Sequence, residues 1–388
     1  MNVARDRGSR RPPVWRDVRV LRWLVQVVVV AVVIALVAWL AANYSANVRR
    51  QNIPTDFGFL DNPASFRITG NSMSQNAPVR DAMVQGLYNT LRIAVVGIVL
   101  ATLLGTLVGV GRLSRNWLVR TMASVYVDAV RNVPLPLFVV FGLLAVVLGV
   151  FPRVDDAWQP LGLMVVSNRA IAVPWFEGST AGMVILVLVG VAAAVVAARS
   201  RRALAARAGT AANSGIWAIA TFAAVVVVGW FVNGSSITLP ELDGRRVVGG
   251  IRMDPSFFAI LLALVVYTAS HIAEIVRGSI QAVPIGQSEA ADSLALSGFQ
   301  RLWLVVLPQA FRVALPPIGN QYLNLIKNSS LGAGIGYYDI TLVTKTTVGN
   351  GSPAVPAFAI ALLMYLALSL VTSSVVNLFN RRFRLVER

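Results

Sequence analysis

The sequence has 388 residues, of which 56% are hydrophobic and 13% are charged, and its formal net charge is +17. Soluble domains carry about 25% charged residues, so this composition excludes an ordinary soluble protein and indicates an integral membrane protein. The basic residues stand in short runs beside apolar segments, without interleaved aromatic residues, which argues against a nucleic-acid-binding protein. The chain has no cysteine, so disulfides and thiolate metal sites are excluded.

Eight apolar stretches along the chain are each long enough to cross a membrane as a helix. They cover residues 21–42, 87–111, 122–150, 181–198, 215–232, 256–276, 311–331 and 355–379. The third stretch is interrupted by Asp128, Arg131, Pro134 and Pro136. The pattern predicts an all-α integral membrane protein with about eight transmembrane helices.

The distribution of arginines predicts the orientation of the chain in the membrane. With the N terminus in the cytoplasm, the cytoplasmic segments include the basic tails at both ends of the sequence and the linkers 112–120 and 199–207. Cytoplasmic segments of membrane proteins carry an excess of Lys and Arg, and most basic residues fall in these segments. Both termini are therefore expected in the cytoplasm, with the arginine-rich tails against anionic lipid headgroups.

Three long segments between the spans are expected outside the membrane. Residues 43–81 are polar and rich in Asn, Ser and Pro, which predicts a loop without a core of its own. Residues 151–180 and 229–254 are expected to be irregular, and the two apolar spans between them are expected at the periphery of the protein. In the second span, Gly105 and Gly109 fit either close packing of two helices or a lipid-facing position.

A polar segment separates the sixth and seventh spans. Residues 289–296 are mostly good helix formers, Ser288 can act as a cap, and Glu289 is favourable in a first turn. We expect a short amphipathic helix that presents a compact surface to the groove of a partner protein. Pro308 disfavours the helical conformation at Leu307, so a change of chain direction is expected there. The alternative is an ordinary interfacial helix between two spans.

Two charged pairs fall inside or near apolar spans, where charge is costly and indicates either function or mutual pairing. Asp128 and Arg131 are three residues apart, and Glu274 and Arg277 have the same spacing. Each pair can share one face of a helix and neutralise itself. These four residues are candidates for structural pairing near the cytoplasmic end of the spans or, alternatively, for the substrate path.

A run of polar residues near the external end of the seventh span is the favoured candidate for the substrate path. It consists of Lys327, Asn328, Ser329 and Ser330. A cation beside three hydrogen-bonding side chains suits a zwitterionic or anionic solute.

The sequence contains no nucleotide-binding loop of its own. Such a loop needs a Gly-Lys pair, whereas Lys327 follows Ile326 and Lys345 follows Thr344. The chain is therefore expected not to be an enzyme, and any ATP hydrolysis is expected on a partner subunit. Neither a metal site nor a cofactor is expected, since the single histidine, His271, has no recognisable constellation of ligands around it.

The polar segment between the sixth and seventh spans resembles the "EAA" coupling loop of the membrane subunits of bacterial ABC importers. The residues on family positions are Glu289, Ala290, Ala291, Val305, Leu307 and Pro308. Ala295 stands where the family has glycine, and Gly298 nearby is expected to supply the flexibility. The resemblance implies that this loop couples the chain to an ATPase subunit.

Further strings resemble the polar amino-acid uptake permeases. They lie at residues 86–91, 131–135, 267–278 and 321–331. The extra first span and the inserted pair at about 181–232 look like the larger permeases of the general L-amino-acid and glutamate/glutamine/aspartate/asparagine systems. The resemblance implies a type I ABC importer permease in the bacterial inner membrane that carries polar or acidic L-amino acids.

The resemblance also implies a division of the chain and a set of partners. Residues 1–85 would hold the basic tail, first span and external loop, residues 86–379 the permease domain with its coupling loop at 277–310, and residues 380–388 a basic cytoplasmic tail. The implied partners are a second permease subunit in a heterodimer, a dimer of ATP-binding subunits and a periplasmic solute-binding protein.

Two other classes of protein are weighed against this interpretation. An ion-coupled secondary transporter would show paired broken helices in corresponding halves and acidic residues deep in its spans, and neither is evident. A membrane-embedded enzyme would need a catalytic constellation, and none is recognisable in the sequence.

Overall fold

The computed structural model describes residues 18–51, 53, 55–69, 73–177, 180–208, 213–232, 236–244 and 246–383. Twelve α-helices occur in this part of the chain: α1 Val18–Gln51, α2 Val79–Gly111, α3 Trp117–Arg131, α4 Leu135–Phe141, α5 Thr180–Ala208, α6 Ser214–Val232, α7 Pro255–Gln281, α8 Ile285–Ser293, α9 Gly298–Arg301, α10 Leu307–Asn328, α11 Ile340–Gly349 and α12 Ala354–Phe383. Most of the N-terminal basic tail and residues 384–388, both predicted to be cytoplasmic, lie outside the described residues.

Six helices of the described part are long and apolar enough to cross a membrane, and a seventh crossing results if α3 and α4 form one bent span. The remaining predicted span, 181–198, is helical and forms most of α5. All eight apolar stretches therefore lie largely in helices, but the structure gives six candidate spans, or seven with the bent pair, where the sequence predicts about eight. The third differs from a straight span, because α3 and α4 meet at an angle of 101°. The break coincides with Pro134, which lacks the N–H needed to continue a helix.

The centre of the protein is α7, which packs against α2, α3, α4 and α10. Gly105 and Gly109 of α2 lie against α7. A Cβ atom at Gly105 would lie 2.7 Å from Cβ of Ile272, and one at Gly109 would lie 2.7 Å from the carbonyl oxygen of Ala273. Side-chain carbons do not approach other atoms so closely, so the two glycines allow a contact that any other residue would prevent. The structure therefore decides for close helix packing over the lipid-facing alternative.

The segment that precedes α2 has a small core, contrary to expectation. Phe59, Phe66 and Ile68 are buried in a cluster with Met83 of α2 and Val343 of α11. The few apolar residues of this segment are separated by Asn, Ser and Pro, so the average composition of the segment does not predict a core. They fasten the external segment onto the end of the helical bundle.

The two loops expected to be irregular contain short strands that pair with each other. The strands are β1 Val165–Val166, β2 Ile171–Val173, β3 Trp175–Glu177, β4 Ser236–Thr238, β5 Glu241–Asp243, β6 Arg246–Val248 and β7 Ile251–Met253. β2 pairs antiparallel with β7, and β3 pairs antiparallel with β4. The loop before α5 is thereby joined to the loop after α6. These strands of three residues or fewer are too short to give a clear alternating pattern in the sequence.

We expect Gly105→Ala to destabilise the protein and Gly278→Ala to stabilise it. The new methyl group at position 105 would overlap Ile272, and overpacking of this kind costs about 1–3 kcal/mol. A Cβ atom added at Gly278, a helical glycine of α7, would have no neighbouring atom within 4 Å, so alanine there should raise the free energy of unfolding by about 0.5–1 kcal/mol. The measurement is the thermal unfolding midpoint of each purified variant in detergent. Equal midpoints for the two variants would contradict the packing described here.

Candidate functional site

The helix predicted in the coupling loop is present but starts earlier. α8 covers Ile285–Ser293, and Pro284 precedes its first residue. Ser288 and Glu289 lie inside the helix, so the predicted cap at Ser288 and the first-turn position of Glu289 are wrong. The signal in the sequence is Pro284, because a proline cannot lie in a helix interior without loss of a hydrogen bond and commonly marks a helix start.

The end of α8 explains the family position that Ala295 occupies. The N–H of Leu296 donates to the carbonyl of Ala291 at 3.2 Å, and the N–H of Ala295 donates to the carbonyl of Asp292 at 2.9 Å. This is the Schellman arrangement, which requires a left-handed residue after the helix and usually uses glycine. Ala295 adopts that conformation with φ of 54°. A left-handed conformation costs a residue with a side chain about 1–2 kcal/mol.

Gly298 does not take over the role of the family glycine. It is the first residue of α9 and is not among the described glycines with positive φ. The hydroxyl of Ser297 accepts from the N–H of Gln300 at 3.3 Å, and the Gln300 side chain accepts from the N–H of Ser297 at 2.9 Å. This reciprocal capping fixes the start of α9. The expectation that Gly298 supplies flexibility is therefore wrong.

Two side-chain contacts hold α8 against the residues that follow it. Arg301 donates through Nη1 to both carboxylate oxygens of Asp292, each at 2.7 Å. Gln309, in the first turn of α10, donates to the side-chain oxygen of Gln287 at 3.1 Å. Because Gln309 belongs to α10, α8 is tied directly to a long apolar helix.

Leu307 and Pro308 do not produce the expected change of chain direction. Leu307 is helical, with φ of −60° and ψ of −42°, and Pro308 lies in the first turn of α10. The preceding residues, Leu302–Val306, form a π-helical turn. A wider turn of this kind accommodates the missing N–H and the ring of a proline, which explains why the chain continues without a break.

The coupling loop exposes several apolar side chains and, besides the paired Asp292, one acidic side chain. Ile285 is 77% exposed, Leu294 75% and Phe299 71%. Glu289 and Ala290 are also exposed, and the Glu289 carboxylate forms no ion pair with any described residue. We call these five residues the coupling surface. Ala291 belongs to the same motif but is only 3% exposed, so it packs inward and supports the loop.

The two predicted ion pairs merge into one network around Glu274. The Glu274 carboxylate contacts Arg112 and Arg277 directly, and its distance to Nη1 of Arg131 is 4.0 Å. Asp128 lies 3.7 Å from Arg112 and does not pair with Arg131. We call these five residues the arginine network. It joins the ends of α2, α3 and α7 near the coupling loop, and it supports structural pairing over the substrate path.

Arg112 is the member of this network that sequence reasoning missed. Arg112 follows the last residue of α2. An arginine at the end of an apolar span normally indicates only which side of the membrane that end faces. Its partner Glu274 is far away in sequence, so no local spacing connects the two residues. Only the parallel packing of α2 and α7 brings their ends together.

In the polar run 327–330, the two serine hydroxyls are hydrogen-bonded to backbone carbonyls, whereas the lysine ammonium group has no acidic partner among the described residues. The hydroxyl of Ser329 donates to the carbonyl of Ile326 at 2.7 Å and is buried, and the hydroxyl of Ser330 donates to the carbonyl of Lys327 at 2.8 Å. Asn328 is half-buried. Lys327 is exposed and pairs with no acidic residue in the described part of the chain.

Two asparagines extend the exposed face on which Lys327 lies. Asn320 and Asn324 are exposed, and with Lys327 they follow the spacing of four and three residues that places side chains on one face of a helix. We call these three residues the polar stripe of α10. The signal in the sequence is the periodic spacing of Asn320, Asn324 and Lys327, which is less conspicuous than the contiguous polar run 327–330.

Comparison with known proteins gives consistent matches across the chain. Residues 187–385 match the family described as "Binding-protein-dependent transport system inner membrane component". The chain is 38% identical to the general L-amino acid transport system permease protein AapQ of Rhizobium johnstonii, over 94% of this chain and 92% of that protein. It is 36% identical to the putative amino-acid ABC transporter permease protein YhdX of Escherichia coli K12, over 94% and 95% of the two chains. It is 33% identical to the glutamate/glutamine/aspartate/asparagine transport system permease protein BztB of Rhodobacter capsulatus, over 98% of each.

We expect Ala295→Gly to be tolerated and Ala295→Val to destabilise the coupling loop. Glycine relieves about 1–2 kcal/mol of backbone strain, which the greater entropy of the unfolded chain offsets by about 0.4–1 kcal/mol. Valine is β-branched and fits the left-handed conformation still less well than alanine. The matched control is Ala290→Val, at an exposed helical position. Limited proteolysis of the loop and the thermal midpoint report the effect, and equal behaviour of the two valine variants would refute it.

Proposed function

The chain belongs to the family of binding-protein-dependent transport system inner membrane components, and from this premise we propose that it carries polar or acidic L-amino acids inward through the membrane. It is a multi-pass permease subunit of the inner membrane, and ATP hydrolysis takes place on a partner subunit. The substrate proposal draws on its likeness to permeases named for general L-amino acids and for glutamate, glutamine, aspartate and asparagine. Family membership decides against the ion-coupled secondary transporter.

In this proposal the coupling loop transmits movement from the ATP-binding subunit to the membrane helices. Its coupling surface combines a free carboxylate with large exposed apolar side chains, which is the composition of a helix that inserts into a groove on a partner. We place this surface in a groove of the ATP-binding subunit. The link from Gln287 to Gln309 then passes movement of α8 to α10. Nucleotide-driven closure of the ATPase dimer would drive the change between outward-open and inward-open states.

The polar stripe of α10 supports a second permease subunit as a partner. A lysine at membrane depth costs about 2.5–3.5 kcal/mol on insertion scales, and exposed amides also lose hydrogen bonds to water in lipid. A water-filled path between two permease subunits removes this cost. In that path Lys327 faces the carboxylate of the passing amino acid, while Asn320 and Asn324 replace part of its hydration.

The orientation and division of the chain follow from the same proposal. We place both termini and the linker 199–207 in the cytoplasm, in agreement with the arginine distribution. The contact between Arg112 and Glu274 supports this arrangement, because it brings the linker after α2 to the same end of the bundle as the coupling loop. The permease domain spans residues 86–379, with α5 and α6 as an inserted hairpin whose helices pack against each other.

The double variant Glu289→Arg, Ala290→Trp should uncouple ATP hydrolysis from uptake. Both side chains are exposed, so the change alters the coupling surface without disturbing the core. We expect amino-acid uptake by the complete importer to fall at least tenfold, with a normal amount of inserted chain. The control is Glu241→Arg in β5, an exposed carboxylate far from the loop. Wild-type uptake by the double variant would place the ATPase contact elsewhere.

Lys327→Met should reduce uptake, most strongly for acidic amino acids, and leave complex assembly unchanged. Methionine keeps the length of the side chain and removes its charge, so a charge-assisted contact worth about 1.5–3 kcal/mol is lost. The chain offers a matched control in its other lysine, since Lys345→Met alters an exposed residue of α11 outside the polar stripe. Initial uptake rates for glutamate, glutamine and a neutral amino acid check the proposal. If Lys327→Met and Lys345→Met behave alike, Lys327 contacts headgroups only.

A further inference from the structure

A cavity of about 350 Å³ lies at the end of the bundle opposite the coupling loop. α2 and the start of α7 form its walls, and residues of β3 and β7 cover it from the side of the paired strands. Its charged and aromatic lining includes Arg92, Trp175, Arg252, Asp254, Phe257 and Tyr337. The cavity shares no residue with the coupling surface, the arginine network or the polar stripe of α10.

The three charged groups of the cavity form no ion pair with one another in the described part of the chain. The Arg92 guanidinium carbon lies 4.4 Å from the centre of the Phe257 ring, and Arg92 forms no ion pair with any described carboxylate. Asp254 immediately precedes α7, and burial raises the pKa of its carboxyl group above its usual range, although the positive charge of Arg252 acts in the opposite direction. No described residue lies within ion-pair distance of Asp254 or Arg252.

The wall beside these charges is held in place by hydrogen bonds. The hydroxyl of Tyr337 donates to the carbonyl of Asn89 at 2.9 Å, and the Asn89 side chain donates to the carbonyl of Tyr338 at 2.8 Å. Gln85 donates to the Asn89 side-chain oxygen at 3.0 Å. The backbone turn after α10 is thereby fastened to α2. A site with fixed walls loses less entropy when a ligand binds.

We propose that this cavity is an entry site for one acidic amino acid. The two carboxylates of glutamate or aspartate match the two guanidinium groups of Arg92 and Arg252, and the ammonium group matches the carboxylate of Asp254. The aromatic rings of Phe257 and Trp175 contact the aliphatic carbons. A volume of about 350 Å³ lies at the lower end of the range for ligand sites, about 300–1,000 Å³, and suits a single small solute.

The charges assign a separate role to each arginine. Arg92 lies in α2 and within contact of Phe257, so it is the deeper cation and binds the α-carboxylate that all amino acids share. Arg252 is exposed on β7 and binds the side-chain carboxylate, which only acidic amino acids have. β7 belongs to the strands between α6 and α7, so this external segment adds a preference for acidic solutes at the point of entry, before they reach Lys327. This inference rests on the proposed function, because an entry site for amino acids has a role only if the chain is part of an amino-acid importer.

The test is equilibrium binding of radiolabelled glutamate and glutamine to the intact importer complex, purified through this chain, in lipid nanodiscs without the binding protein. Arg92→Gln should weaken binding of both amino acids about tenfold to a hundredfold, the effect of one charge-assisted contact. Arg252→Gln should weaken glutamate binding by a similar factor and leave glutamine binding unchanged. Arg246→Gln, at an exposed arginine of β6 outside the cavity, is the matched control and should bind both as the wild type does.

Other outcomes separate this inference from the proposed function. Unchanged glutamate binding in both Arg92→Gln and Arg252→Gln overturns the entry site, and so does the absence of glutamate binding to the wild-type complex. In either case, uptake of amino acids by proteoliposomes with the complete wild-type importer would leave the proposed function standing. If the complete importer takes up no amino acid, the proposed function itself fails.

Discussion

The close contact between α2 and α7 is the constraint on which the rest of the structure depends. Inside a membrane, lipid tails are as apolar as leucine, so helices associate through close packing and not through removal of apolar surface from water. Gly105 and Gly109 remove the side chains that would hold the two helices apart. With this distance fixed, α7 brings Asp254 to the cavity at one end and Glu274 to the arginine network at the other. A change in the angle between the helices therefore moves both sites together.

The arginine network places several charges at the ends of packed helices and pairs them there with carboxylates. Glu274 contacts Arg112 and Arg277 and lies within 4.0 Å of Arg131, so these arginines already have a carboxylate partner. A solute carboxylate would have to displace Glu274, which would leave a partly buried acid without a counter-charge and cost several kcal/mol. The network is thus suited to hold the ends of three helices beside the coupling loop. Lys327 and Arg92 lack such a partner among the described residues and remain available to a solute.

Sequence reasoning found the features that depend on local pattern and missed those that depend on distant contacts. The apolar stretches, the coupling helix and the pairing of Glu274 with Arg277 follow from composition and spacing. The external segment that contains Phe59 has a core only because α2 and α11 pack against it. Arg112 joined the arginine network only because α2 and α7 run in parallel. The cavity at Arg92 combines residues from five parts of the chain, so no spacing within one segment could have revealed it.

The prolines of α10 lie where movement at the coupling loop would have to pass to reach the proposed substrate path. Gln309 ties the start of α10 to α8, and the polar stripe begins at Asn320. Pro316 and Pro317 lie between these two points, inside the helix. Prolines in a helix interior remove hydrogen bonds and permit a bend, so the two parts of α10 can change their relative angle at this position. A displacement of α8 by the ATPase would then be converted at the prolines into a rotation of the face that carries Lys327, which is the motion that alternating access of the path requires.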